Sequence, residues 1–211
     1  MVTLVGFLIF IYSIILHEIA HGLAAERLGD PTARLSGRLS LKPGPHIDPL
    51  MSILVPLFLV LSGSPIIFGS AKPVPIDPYN LRNPRKDMGL VGLAGPATNL
   101  GLAVVFSLLA RLAFALFPQT TILEILKFAT QINIFLAVFN LIPIPPLDGG
   151  RVMVAILPEK YSEALESIES IGIFIVLFFF LFPNSFFSLQ GIVIEISSFL
   201  FNLIFPNFPI V

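Results

Sequence analysis

Long apolar runs alternate with short polar connectors along most of the chain. A helix needs about 20 mostly apolar residues to cross roughly 30 Å of hydrocarbon. The segments that reach or approach this length cover residues 2–25, 50–69, 89–117, 122–146, 170–183 and 186–206. The pattern therefore predicts an all-α polytopic membrane protein, with about five to six hydrophobic segments in a single domain over residues 1–211.

Segment 50–69 differs from the others because basic connectors flank it on both sides. The connectors 26–48 and 70–88 each carry several Lys and Arg residues, which concentrate on the cytoplasmic side of membrane proteins. A segment that crossed the bilayer would place the two connectors on opposite faces. The sequence Ser62-Gly-Ser-Pro65 also interrupts the segment near its middle. We therefore predict that segment 50–69 is re-entrant and returns to the cytoplasmic face.

Shorter patterns predict elements at the membrane surface. The stretch Arg34-Leu-Ser-Gly-Arg-Leu-Ser-Leu41 alternates polar and apolar residues, which is typical of a β-strand or hairpin. Residues 151–169 combine basic residues with glutamates and predict an amphipathic surface helix. The N-terminal run lacks the basic start of a secretory signal, so we interpret it as a retained membrane helix.

Composition then excludes several classes of protein. The chain is 55% hydrophobic and 12% charged, with a mean hydropathy of +0.94, which is too apolar for a soluble core or a disordered chain. A net charge of −1 offers no basic footprint for nucleic acid. The absence of cysteine excludes disulfides, thiolate metal ligands and a cysteine nucleophile. Each ionisable group inside an apolar run therefore needs a functional reason.

The clearest candidate chemistry lies at the end of the first apolar run. Two of the three histidines in the chain occur in Leu16-His17-Glu18-Ile19-Ala20-His21-Gly22. Residues four apart share one helical face, so His17 and His21 can bind one ion. Glu18 is offset by one position and can act as a general base. The HExxH spacing therefore predicts a catalytic zinc site with nitrogen and oxygen ligands.

A catalytic zinc site needs a third protein ligand from elsewhere in the chain. The candidates are Glu26, His46, Asp48 and Asp148. Asp148 is the strongest, because it follows a proline-rich break in an apolar segment and precedes two glycines that allow close backbone approach. A re-entrant segment 50–69 would also return Asp148 to the membrane face where His21 lies.

Three motifs together resemble the site-2 protease family of intramembrane zinc metalloproteases. They are His17-Glu18-Ile-Ala-His21, Ala94-Gly-Pro-Ala-Thr-Asn99 and Asn140-Leu-Ile-Pro…Leu147-Asp-Gly149, in the family's order and spacing. Further stretches near 44–49, 68–75 and 83–87 are similar to a small prokaryotic subgroup without PDZ or CBS domains. The resemblance covers roughly residues 8–155. One departure is that Asn140 is followed by Leu-Ile-Pro, where the family often has proline directly after the asparagine.

The resemblance implies a role for each matching residue. His17, His21 and Asp148 would ligate one Zn²⁺ per chain, and Glu18 would activate water. Asn99 and Asn140 would contact substrate backbone or shape the site, while His46 would line the site or structure its loop. The catalytic core would cover about residues 1–155, with C-terminal helices over 156–211.

The expected function is therefore hydrolysis of peptide bonds in membrane-spanning protein substrates, at the cytoplasmic side of a prokaryotic cell membrane. The strand predicted at 34–41 would pair with an extended substrate. Two alternatives remain open: a non-proteolytic membrane zinc protein that binds clients, and a metal transporter. The intact Glu18 argues against the first, since a pure binder needs no base beside the metal. Ligands grouped near one membrane face argue against the second.

Overall fold

The computed structural model describes residues 2–62, 69–116, 121–181 and 188–205. The described chain is helical, and three helices dominate it: α1 (Val2–Leu28), α4 (Pro84–Leu116) and α5 (Thr121–Asn140). The shorter helices are α2 (Thr32–Leu35), α3 (Val55–Leu61), α6 (Asp148–Ile156), α7 (Glu159–Ser167), α8 (Glu169–Leu181) and α9 (Leu189–Ile204). A π-helical turn, Pro49–Leu54, leads directly into α3.

Among the residues that the structure describes, three helices are long and apolar enough to cross a membrane, namely Leu4–Leu28, Pro84–Leu116 and Thr121–Asn140. They correspond to three of the six hydrophobic segments predicted from the sequence. The other three segments form shorter apolar helices within the described residues, so the count of five to six spans is not confirmed. The chain is a membrane protein, and its described ranges contain three candidate spans.

Helix α4 lies at the centre and packs against α1, α5 and α6. Its contact face carries small residues, since Gly89 and Gly92 are buried against α6. A Cβ built at Gly92 would lie 3.0 Å from the carbonyl oxygen of Asp148, and one at Gly89 would collide with the Cβ of Ala155. Membrane helices approach closely where such small residues meet. The glycines of α4 therefore set how near α6 comes to the centre of the bundle.

The two ends of segment 50–69 lie together. The amide of Ser70 donates to the carbonyl of Met51 over 3.2 Å, and Oγ of Ser52 donates to the carbonyl of Ser70 over 2.7 Å. A segment that crossed the bilayer would have ends roughly 30 Å apart. The chain thus returns to its starting point, as the predicted hairpin requires. Residues 63–68, which include most of the predicted break at 62–65, lie outside the described residues.

The strand predicted at 34–41 is wrong, because its first residues belong to helix α2 and no strand occurs in the described ranges. The backbone finds its partners locally: Gly37 donates to the carbonyl of Arg34, and Arg38 donates to that of Ala33. Gly37 has φ +66°, the left-handed conformation that commonly ends a helix. A strand would need a partner strand for the same groups, and the fold provides none here.

The surface helix predicted over 151–169 is instead two helices, α6 and α7, with the start of α8. Pro158 separates α6 from α7, because proline lacks the amide that a continuing helix would need. Helix α9 then packs on α5, and α8 packs on α9 and, at Gly172, on the connection that precedes α6. Their shared core contains Ile134, Val138, Ile142, Leu147, Val176, Leu189 and Val193.

Candidate active site

Two imidazoles from α1 and one carboxylate from α6 converge beside α4. The Nε2 atoms of His17 and His21 lie 3.0 Å apart. Oδ2 of Asp148 lies 3.1 Å from Nε2 of His17 and 3.2 Å from Nε2 of His21. All three residues are buried. The three atoms therefore form a nearly equilateral triangle inside the protein.

The hydrogen bonds of the two imidazoles show which ring nitrogen carries the proton and which one directs an unprotonated lone pair into the triangle. Nδ1 of His21 lies 2.7 Å from the carbonyl oxygen of Val91, which can only accept, so this nitrogen carries the proton. Nδ1 of His17 lies 2.6 Å from Oδ1 of Asn99, which also accepts. In neutral imidazoles both Nε2 atoms are then unprotonated. Oδ2 of Asp148 is buried and has no hydrogen-bond partner among the described residues.

Three electron-pair donors that face each other at this distance repel, unless a cation lies between them. Ligand atoms about 2.1 Å from a tetrahedral zinc ion are about 3.4 Å apart, close to the observed 3.0–3.2 Å. Two imidazoles and one carboxylate are also a ligand set of catalytic zinc sites. The residues present therefore fit Zn²⁺.

A chain of buried amides sets the orientation of Asn99 and, through it, of His17. Nδ2 of Asn133 donates to the carbonyl of Ala129 and to Oγ of Ser13, each over 2.9 Å, so Oδ1 of Asn133 faces Asn99. Nδ2 of Asn99 donates to that oxygen over 2.9 Å, and to the carbonyl of Ser13 over 3.4 Å. Oδ1 of Asn99 is left to accept from His17. Such outer partners select the histidine tautomer that ligates a metal.

Gly95 of α4 leaves room for the imidazoles. A Cβ built at this position would lie 2.5 Å from Cε1 and 2.6 Å from Nε2 of His17, and would also collide with Nε2 of His21. No side chain larger than hydrogen fits there without displacing both rings. Gly95 therefore belongs to the site, although it contributes no polar group.

The chain carries Asp148 into the triangle through a tight turn between α5 and α6. Asp148 is the first residue of α6, and the two glycines that follow it are buried. A Cβ at Gly149 would collide with the backbone of Leu141, and one at Gly150 with the backbone of Pro145. From the other side, a Cβ at Gly172 of α8 would collide with the carbonyl of Pro145. Close backbone contacts on both sides thus hold Asp148 in place.

Comparison with known proteins identifies the family to which this site belongs. The model of peptidase family M50 matches residues 113–183. "Putative zinc metalloprotease YwhC" of Bacillus subtilis (strain 168) is 35% identical over 179 residues, covering 82% of this chain and 78% of that protein. The chain belongs to peptidase family M50, the site-2 proteases.

Other relatives agree with this assignment. "Putative zinc metalloprotease Rip2" of Mycobacterium tuberculosis (strain ATCC 25618 / H37Rv) is 30% identical over 83% of this chain and 66% of that protein. "Zinc metalloprotease MJ0392" of Methanocaldococcus jannaschii is 24% identical over 74% of this chain and 35% of that protein. No solved structure matches the chain. This M50 peptidase is therefore a zinc metalloendopeptidase, and Zn²⁺ is its cofactor.

Glu18, the remaining member of the HExxH motif, lies on the next face of α1. Its Oε2 accepts a hydrogen bond from the amide of Val74 over 2.8 Å. The two histidines point towards α4 and α6, whereas Glu18 faces the irregular segment 70–77. The one-position offset in the sequence therefore separates the metal-ligand candidates from the candidate base in space.

The other candidate ligands lie elsewhere. Glu26 pairs with Arg34 at the surface. Asp48 accepts from the amides of Leu50 and Met51 and begins the π-helical turn. His46 is buried, with its Nε2 2.8 Å from the carbonyl of Ser40. The structure brings none of these three into the triangle.

The two asparagines of the family motifs differ in their surroundings. Asn99 is fully buried, and its amide is occupied by His17, Asn133 and Ser13. Asn140 is partly buried and donates to the carbonyl of Leu136 on its own helix. The structure therefore places Asn99 behind a histidine and Asn140 at the end of α5, where the turn to Asp148 begins.

Sequence reasoning missed Ser13, Gly95 and Asn133. Asn133 carried a usable signal, because a polar amide in an apolar helix calls for a buried partner. Ser13 lies four residues before His17 and so shares its helical face. Gly95 stands within the motif Ala94-Gly-Pro-Ala-Thr-Asn99, but its steric role depends on the distance between two helices, which the motif does not reveal.

Proposed function

We propose that this zinc metallopeptidase hydrolyses peptide bonds within the membrane-spanning segments of its protein substrates, with Glu18 as general base. One observation carries the proposal: His17, Glu18 and His21 all lie within Leu4–Leu28, a helix long and apolar enough to cross the bilayer. A peptidase that acted on soluble substrates would have no need to keep its ligands and its base on such a helix.

The residues divide the chemistry between them. His17, His21 and Asp148 would hold the zinc ion, and Asn99 and the carbonyl of Val91 keep the two imidazoles in the ligating tautomer. When bound, Zn²⁺ supplies Lewis acidity that polarises a carbonyl group and acidifies water. Glu18 accepts a proton from the attacking water and later delivers it to the leaving amine.

A substrate helix hides its amides and carbonyls in its own hydrogen bonds, so it must unwind locally before it is cut. Asn140 lies beside the turn that carries Asp148 and helps to shape the place where an unwound segment would bind. The site would open towards the cytoplasmic side of a prokaryotic cell membrane. The basic connectors around segment 50–69, and the meeting of its two ends, support this orientation.

The test compares the wild type with Glu18→Gln in reconstituted vesicles that contain a single-pass model substrate. Glu18→Gln should keep one zinc per chain and lose roughly 10²- to 10⁴-fold in the cleavage rate, because only the proton acceptor is gone. Glu26→Gln, on the same helix, is the matched control and should cut at the wild-type rate.

Two results would contradict the proposal. One is cleavage by zinc-loaded Glu18→Gln at the wild-type rate. The other is a wild type that cuts soluble peptides of the same sequence but leaves the membrane-spanning form intact.

A further inference from the structure

Glu18 is held from outside its own helix, and this contact suggests a second set of working residues. We infer that segment 70–77 is a positioning device for Glu18, in which the amide of Val74 orients the carboxylate and Arg38 fixes the segment. The inference rests on the proposed role of Glu18 as general base. It assigns a function to Arg38, a buried polar side chain that the metal site does not use.

The local sequence around Val74 makes its amide a dedicated donor. Pro73 and Pro75 have no amide hydrogen, so Val74 supplies the single backbone donor of this tripeptide. That donor bonds to Oε2 of Glu18 over 2.8 Å. Residues that precede proline are restricted to extended conformations, which applies to both Lys72 and Val74. The stretch 72–75 is therefore stiff, and the one amide of its Pro-Val-Pro part points at the carboxylate.

The side chain of Val74 holds the same stretch against α1. Val74 is 6% exposed. A Cβ built at Gly22 would lie 3.1 Å from Cγ1 of Val74, so the valine packs directly over that glycine. Glu18 and Gly22 are four residues apart and lie on one face of the helix. Val74 thus contacts α1 twice, through its side chain at Gly22 and through its amide at Glu18.

Lys72 anchors the stretch two residues earlier. Its amide donates to the carbonyl of His46 over 2.9 Å, and its carbonyl accepts from Nη2 of Arg38 over 2.7 Å. Pro73 follows directly, and its ring restricts the backbone between Lys72 and Val74. The bonds at Lys72 therefore also fix the direction in which the amide of Val74 points.

Arg38, which donates to the carbonyl of Lys72, is an unusual residue to find buried in a contact with backbone. It is only 8% exposed, and within the described part of the chain no carboxylate pairs with it. Burial of a guanidinium group that bonds to a backbone carbonyl instead of a carboxylate costs free energy. We therefore expect the backbone position that this bond fixes to serve a purpose. The position that Arg38 fixes is that of segment 70–77 against Glu18.

The far end of the segment is anchored on Asp30. The amide of Asp77 donates to Oδ2 of Asp30 over 2.8 Å, and Nδ2 of Asn80 donates to Oδ1 over 3.0 Å. Burial raises the pKa of Asp30, but the hydrogen bonds from Thr32, Asn80 and Asp77 outweigh burial and hold its pKa below the usual range. Asp30 therefore stays ionised and binds the segment as a charged acceptor.

The contact with Val74 should affect the rate of the reaction and not the binding of zinc or substrate. With Oε2 fixed by Val74, the second oxygen of Glu18 is left to accept the proton. Loss of the amide would leave zinc and substrate binding unchanged, but it would let the carboxylate rotate away. A misplacement of about 1 Å in a reacting group can cost about 100-fold in rate.

The experiment compares Val74→Pro, which removes the amide, with Val74→Ala, which keeps it. Zinc content, kcat and KM are measured on the full-length protein in vesicles with a membrane-spanning substrate. We expect Val74→Pro to lower kcat roughly 10- to 100-fold, with KM and zinc content unchanged. Val74→Ala should lose only a few-fold in kcat, because it shortens the side-chain contact at Gly22 but keeps the amide that donates to Glu18. Adding Val74→Pro to Glu18→Gln should cause no further loss, since the amide acts only through the carboxylate.

Arg38 provides a second pair of variants, which decides the matter if Val74→Pro does not fold. Arg38→Met should lower kcat at constant KM and zinc content, and Arg38→Lys should restore part of the rate because it can still donate to the carbonyl of Lys72. Equal kcat in Val74→Pro and Val74→Ala, or in Arg38→Met and the wild type, would overturn the inference. A fully active Glu18→Gln would instead overturn the proposed function on which it rests.

Discussion

The two faces of α1 at the active site are built in different ways. The face with His17 and His21 meets α4 and α6, and both imidazoles have partners on α4. The face with Glu18 meets segment 70–77, which has no regular secondary structure up to Asp77. One helix therefore presents its candidate metal ligands to other helices and its candidate base to an irregular segment.

The different demands of metal binding and proton transfer explain why the two faces are built differently. A metal site needs several atoms within a few tenths of an ångström, and packed helices supply that precision because their side chains cannot move independently. A general base needs one oriented carboxylate rather than several converging atoms, and a stiff irregular segment fixed by a few hydrogen bonds can supply that. Changes on the helical face should therefore affect zinc binding, and changes on the other face should affect turnover alone.

The largest expected effect comes from removing a ligand on the helical face. Asp148→Ala should reduce zinc content to background and abolish cleavage, because two imidazoles alone leave the ion under-coordinated. Zinc is measured by elemental analysis of the purified protein. Asp48→Asn is the matched control, since Asp48 lies outside the triangle. Full zinc content in Asp148→Ala would contradict the assignment of the third ligand.

Gly95→Ala tests the same face without removing any polar group. The added methyl group would collide with both imidazoles, so we expect zinc content and cleavage to fall at least tenfold. Gly101→Ala lies on the same helix, where a Cβ meets nothing within 4 Å, and should behave as the wild type. If Gly95→Ala bound zinc as tightly as Gly101→Ala, the close approach of α1 and α4 would not be required.

Asn133→Leu should have an intermediate effect. It removes the amide that orients Asn99, and loss of an outer partner typically lowers metal affinity or activity about 10- to 100-fold. Zinc affinity is measured by competition with a chelator. Asn140→Leu is the comparison, because Asn140 bonds only within its own helix, and it should keep the wild-type affinity. Equal zinc affinities in the two variants would show that the buried amides of Asn99 and Asn133 do not support the metal site.

The smallest effect is expected on the other face, from Gly22→Ala. Its methyl group would lie 2.5 Å from Cδ2 of Leu39 and 3.1 Å from Cγ1 of Val74. The end of the Leu39 side chain can move aside, whereas Cβ of Ala33, at 2.9 Å, can yield only if α2 shifts slightly. We therefore expect a loss of a few-fold in kcat with full zinc content. Gly44→Ala, where a Cβ meets nothing within 4 Å, is the control. Loss of zinc in Gly22→Ala would show that the two faces are not independent.

Local features of the sequence were sufficient for the membrane setting and for part of the site. Apolar runs of about 20 residues predict spanning helices by length alone, and α1, α4 and α5 agree. The spacing of His17 and His21 places them on one helical face whatever surrounds the helix. Asp148 could be selected because few other ionisable groups lie at the edge of an apolar run.

Only the tertiary structure decided the features that depend on contacts between distant parts of the chain. The alternation at 34–41 favoured a strand, but a strand needs a partner for its backbone, and α2 forms where that partner is absent. The importance of Gly95 depends on how closely α4 approaches α1. The bond from Val74 to Glu18 joins residues 56 positions apart. Periodicity and spacing act over a few residues, whereas these contacts depend on how the whole chain packs.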